Sequence, residues 1–72
     1  TMVQFSLPGS GRAVLKVFDV LGRNVATLFD QEAETGRFYR IPFDAASLPT
    51  GLYFSKLEFR GLQLVKKMTL LK

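Results

Sequence analysis

The sequence contains no cysteine, no histidine and no tryptophan among its 72 residues. Without cysteine there is no disulfide framework and no thiolate metal site; the absence leaves the compartment open. Without histidine the commonest general base and the commonest metal ligand are missing, and neither a Ser-His-Asp nor a Cys-His set can be assembled. The lack of tryptophan argues against a sugar-stacking platform. No apolar run approaches the ~20 residues of a membrane-spanning helix, and the N-terminus lacks the basic-then-apolar pattern of a signal peptide. Gly9-Ser10-Gly11 has no Lys-Ser/Thr sequel, so it is not a phosphate loop. An enzyme is not expected, and no cofactor is implied.

The chain has 10 cations against 6 anions, a net charge of +4. The cations run from Arg12 and Lys16 to Lys67 and Lys72 without clustering. A nucleic-acid face would focus them on one side among stacking aromatics, so a solvated surface and no nucleic-acid partner are expected. The length suits a single domain spanning residues 1–72.

Punctuation recurs at roughly the 8–12-residue spacing of all-β folds. Pro8–Gly11, Leu21–Asn24, Asp30–Gly36, Asp44–Gly51 and Arg60-Gly61 read as loops or turns. Between them, apolar residues alternate with period two. Val3, Phe5 and Leu7 share one face, as do Ala13, Leu15 and Val17, then Tyr39, Ile41 and Phe43, then Tyr53, Leu57 and Phe59. One apolar and one mixed face is the pattern of antiparallel sheets over a core. The fold class is all-β, a small immunoglobulin-like antiparallel sandwich of about seven short strands. Val14, Val17, Phe18, Leu21, Val25 and Leu28 also fit a helical stripe, but mid-segment Gly22 and the β-branched residues favour two strands joined by a tight turn at Leu21–Arg23. Asp30–Thr35 has room for one helical turn. Pro42 has no N–H for a ladder, which predicts an edge strand or a bulge.

The Arg60-Gly61 turn sets a register in which Phe59 faces Leu62, Leu57 faces Leu64, Ser55 faces Lys66 and Tyr53 faces Met68. Half of the last segment is thereby expected in the core. The Ser55–Lys66 pair is the exception: either Lys66 points inward, or a bulge near Val65 turns it out. Asp30, Glu32 and Glu34 read as a solvated acidic connection rather than a calcium loop, and Asp19 and Asp44 as turn formers. Phe18, Phe38 and Phe54 fall on the outward face and are expected to be covered by twist and loops. Tyr53, just past Leu48-Pro49-Thr50-Gly51-Leu52, fits a tyrosine corner.

Four blocks carry a family resemblance. Thr1-Met2-Val3-Gln4-Phe5-Ser6-Leu7-Pro8 matches an opening Thr-x-Ile-x-Phe-x-Leu-Pro strand. Leu15 to Val25, with Val17-Phe18-Asp19 and Gly22-Arg23, matches Leu-x-Val-Tyr-Asp-x-x-Gly-Arg-x-Val, with Phe18 in place of the common Tyr. Phe43-Asp44-Ala45, Leu48 and Gly51-Leu52-Tyr53 match Asp-x-Ser-x-Leu-x-x-Gly-x-Tyr. Lys66-Lys67-Met68 with Leu70-Leu71-Lys72 matches Lys-Lys-Met-x-Leu-x-Lys. In these blocks, and over essentially its whole length, the chain resembles the type A C-terminal sorting domain of the type IX secretion system. Arg37-Phe38-Tyr39 departs from the usual Gly-x-His, with one extra residue, and the Asn-Pro segment usual before Thr1 is missing.

The resemblance implies a detachable address at the C-terminus of a larger secreted protein. Its cargo lies N-terminal to it; the translocon recognises the folded domain in the periplasm, and a sortase-like peptidase removes it at the cell surface, with no membrane insertion of its own. Lys66, Lys67 and Lys72 are the expected charged contacts with the translocon, and Met68, Leu70 and Leu71 the packing or groove contacts. Asp19, Gly22, Arg23, Gly51 and Tyr53 are expected to be structural. The alternative is a non-catalytic immunoglobulin-like module of a secreted or flagellar hook-capping-like protein.

Overall fold

The computed structural model describes residues 2–44 and 46–71. These form six strands: β1 (Met2–Ser6), β2 (Gly11–Asp19), β3 (Asn24–Ala33), β4 (Phe38–Pro42), β5 (Gly51–Phe59) and β6 (Leu62–Leu70). All pairings are antiparallel. One sheet has the order β3-β2-β5-β6 and the other pairs β1 with β4. The all-β sandwich is as expected, with six strands instead of seven. Pro42 is the last residue of β4, an edge strand with β1 as its neighbour among the described residues, in line with the expected edge position.

The alternation decides what each strand buries. Ala13, Leu15 and Val17 of β2 and Tyr53, Leu57 and Phe59 of β5 are buried, with Leu15 opposite Leu57 and Ala13 opposite Phe59. From the small sheet Tyr39 and the flanking Leu7 and Phe43 close over them. Phe5 stacks on Tyr39 with ring centroids 5.1 Å apart and meets Phe29 edge-on at 5.2 Å.

Two expectations change. Asp30 to Thr35 is not a helical turn: β3 continues to Ala33, and the chain turns at Glu34–Arg37, where the Arg37 N–H donates to the Glu34 carbonyl. Ala33 is small and buried, Gly11 lies opposite it, and Asp30 holds Arg12 across the strands. Those cross-strand contacts outweigh the polarity of the segment. The outward aromatics are not covered by loops. Phe38 is 58% exposed, and Phe18 and Phe54 are half-buried opposite each other on the open face of the large sheet. A sandwich of two layers has no third layer to cover them.

The Arg60-Gly61 hairpin forms as expected, with both residues at positive φ (49° and 79°), the two-residue pattern whose twist matches the strands. Its register is continuous: Phe59–Leu62, Leu57–Leu64, Ser55–Lys66 and Tyr53–Met68. There is no bulge near Val65. Lys66 points to the inner side yet is exposed, because the two-stranded sheet does not reach over β6. For the same reason Leu62 and Leu64 are not in the core, although their partners Phe59 and Leu57 are. Leu57 and Leu64 therefore make a matched test. Leu57→Ala is expected to cost about 2–5 kcal/mol and Leu64→Ala less than about 0.5 kcal/mol, read from urea unfolding midpoints.

Candidate functional site

Among the described residues the last strand is an edge strand paired with β5 alone. Its Lys-Lys pair straddles the sheet. Lys66 lies on the inner side opposite buried Ser55, and Lys67 on the outer side opposite Phe54. Both are exposed, and neither has an ion-pair partner among the described residues. Met68 is half-buried opposite Tyr53. Leu70 is 5% exposed and packs in a cluster with Val17, Phe43 and Tyr53. Leu71 is 82% exposed. Lys72 lies outside the described residues, as do Thr1 and Ala45. The five described terminal positions thus divide: Leu70 and part of Met68 anchor the strand, while Lys66, Lys67 and Leu71 face solvent.

The residues of the second motif build a clamped turn at the same end. Asp19 closes β2. The Gly22 N–H donates to the Asp19 carbonyl (3.0 Å), and the Asp19 N–H to the Arg23 carbonyl (3.0 Å). Gly22 sits at φ 82°, where a Cβ would be strained; Asp at the first and Gly at the fourth position is the pattern of a type I turn. One Asp19 carboxylate oxygen accepts from the Leu21 and Arg23 N–H groups (2.9 and 3.0 Å), the other from Arg23 Nε (2.8 Å). The Arg23 backbone N–H, with the Arg23 side chain and the Leu21 N–H, holds the Asp19 carboxyl below the usual aspartate range, against the opposing effect of burial. Held this way, the turn projects Val20 and Leu21 into solvent.

Tyr53 joins this end to the rest. Its hydroxyl donates to the Pro49 carbonyl at 2.8 Å, the expected corner, and the Asp44 carboxylate accepts from the Ala46 N–H at 3.0 Å, the expected turn. Asp19, Tyr53 and Met68 are register partners across three adjacent strands, and Gly51 lies opposite Leu70. Strands are about 4.8 Å apart, so the clamped turn and the end of β6 lie within about 10 Å of one another laterally. Spacing along the chain gives no hint of that proximity, because the motifs are brought together by β5.

The sequence placed Leu62 and Leu64 toward the core and did not flag the exposure of these two and Val65, which makes β6 the least covered strand of the large sheet. It also missed a second tyrosine bond, from the Glu34 N–H to Tyr39 Oη at 2.8 Å, which ties the β3–β4 turn to the core.

Two measurements check the clamp and the corner. A carboxyl with a lowered folded-state pKa stabilises fully above its unfolded value and loses that contribution as pH falls through the folded value. The stability gap between wild type and Asp19→Asn is therefore expected to be open at neutral pH and to close below the ordinary aspartate value of 3.8, measured by urea unfolding across pH. Tyr53→Phe is expected to lose about 1–2 kcal/mol at unchanged m-value, for one part-buried hydrogen bond and an unpaired carbonyl.

A family model described as "Secretion system C-terminal sorting domain" matches residues 1–70. No curated protein and no solved structure matches. With the match running from the first strand through the last, the chain belongs to the C-terminal sorting domains of the type IX secretion system.

Proposed function

We propose that the domain is a folded, non-catalytic address, recognised by the type IX translocon through the exposed part of β6 and removed by a surface sortase-like peptidase after transit through the periplasm. Family membership itself implies an N-terminal cargo and export to the cell surface or extracellular space. The observation that carries the finer reading is the division of the terminal strand. Leu70 is locked in the core, while Lys66, Lys67 and Leu71 stand in solvent without ion-pair partners. A partner can read those groups without unfolding the domain. Lysines on an edge strand also discourage pairing between copies, which keeps the address open in transit. Lys72 completes the motif in sequence, and its role is proposed on that ground alone.

The reading separates recognition from stability, so point substitutions test it better than deletion of the end. The domain, with the segment that precedes Thr1 in its parent restored, is fused to a periplasm-directed fluorescent cargo in a bacterium with this secretion system. Replacing Lys66, Lys67 and Leu71 together by Gln is expected to lower export by about tenfold or more with the melting temperature nearly unchanged. Leu70→Ala is expected to destabilise by about 2–5 kcal/mol. Export of the triple variant at the wild-type level would remove the recognition role of these residues. Retention of the wild-type fusion would instead favour an immunoglobulin-like structural module.

A further inference from the structure

The small sheet is one strand too narrow for the large one. On the inner side of β6, Leu64 and Lys66 form an uncovered floor beside Ser55 and Leu57. The wall of this groove is β1: four consecutive residues, Val3 to Ser6, line it, so the strand presents its edge to the groove and not only one face. The hollow has a volume of about 420 Å³ and continues toward Met68 and Leu70 in a second of about 400 Å³, sharing Val3, Gln4, Ser55 and Lys66.

The edge of β1 differs from the other sheet edges. Strands that end a sheet are ordinarily guarded by charge or proline against pairing. β3 carries Asp30 and Glu32, β4 carries Arg40 and Pro42, and β6 carries Lys66 and Lys67. β1, Met-Val-Gln-Phe-Ser, carries no charge and no proline. The unguarded edge is thus the one beside the uncovered floor. The floor itself alternates: apolar Leu64, cationic Lys66, apolar Met68. Lys66 has no carboxylate facing it among the described residues.

We infer that this groove is a seat for one added strand, supplied in trans by the secretion machinery. That strand pairs with the free edge of β1 and sets apolar side chains on Leu64 and Met68, with a carboxylate between them on Lys66. The inference rests on the sorting-domain reading above and names its mode of contact. Strand addition draws affinity from main-chain hydrogen bonds and specificity from alternate side chains. Five residues of β1 offer room for a segment of about five residues, near 17 Å long. Charge complementarity decides the partner's chemistry: the ionic groups that line the two hollows, Lys66 and Lys67, are both cations, so the matching residue is acidic.

Leu64 and Val65 make the test, being adjacent, 61% and 59% exposed, and on opposite sides of β6. Leu64→Glu and Val65→Glu are compared in the export assay, each checked for an unchanged melting temperature. Leu64→Glu places a carboxylate where the added strand sets an apolar side chain and is expected to lower export about tenfold or more; Val65→Glu, outside the groove, is expected to leave it near wild type. Equal export of both variants, or loss with Val65→Glu alone, overturns the groove. If the wild-type fusion itself is not exported, the sorting reading fails and the groove with it. The source of the strand is tested separately. The chain has no cysteine, so Leu64→Cys and Val65→Cys each report one position. In the purified parent protein both are expected to react with a maleimide at similar rates. Protection of position 64 alone would mean that the parent chain fills its own seat, which overturns supply in trans.

Discussion

The contact of Phe5, Phe29 and Tyr39 decides how the two sheets lie on one another. Phe5 comes from β1, Tyr39 from β4 and Phe29 from β3, and their centroids are 5.1–5.2 Å apart in all three pairs. Each such pair adds about 0.5–1.5 kcal/mol beyond the area it buries. The rings draw the two-stranded sheet toward the β3–β2 side of the four-stranded one, where Ala33, Leu15 and Leu7 complete the cluster. What is gained on that side is given up on the other: two strands set over β3 and β2 cannot also cover β6. The bare inner side of the last strand is thus a consequence of where the core is strongest.

Function is laid over this asymmetry. On the proposal that the folded domain itself is read, the same end must hold its shape and still leave groups exposed. Leu70 and Met68 tie the end of β6 into the second cluster with Val17, Phe43 and Tyr53, so the address is not a loose tail. Lys66 and Lys67 are displayed from a strand whose far edge is unpaired among the described residues, and Leu71 just past its end. The Asp19 clamp acts at the same end. It spends a full set of hydrogen bonds on keeping a three-residue tip in one conformation, although the tip itself buries nothing. The corner of Tyr53 on Pro49 holds the strand between them. Three of the four motif blocks, scattered along the chain, thus maintain one end of the sandwich, while the far end holds the Arg60 turn, where Arg60 Nη2 donates to the Ser10 carbonyl and the guanidinium lies over the Phe59 ring at 5.3 Å.

Much of this is legible in the amino-acid sequence. Period-two alternation located the strands, Gly22 and the Arg60-Gly61 pair located the hairpins, and the register of β5 with β6 followed from the length of its turn. The Tyr53 corner and the Asp19 turn were legible because both are local, within four residues of their partners. Asp30–Ala33 was misread because a strand held by partners opposite it, Arg12 and Gly11, carries no apolar alternation of its own to announce it. The outward aromatics were misread because a side chain's cover depends on other layers.

The sequence by itself determined which face each side chain takes, since a pleated strand turns alternate residues to opposite sides and a two-residue turn leaves one register. It placed Leu62, Leu64 and Lys66 on the same side as Leu70. Only the tertiary structure decided that Leu70 is core and the other three are not. Cover comes from the opposing sheet, whose width and position are set by long-range contacts between β1, β3 and β4, and no pattern within β6 records how far that sheet reaches.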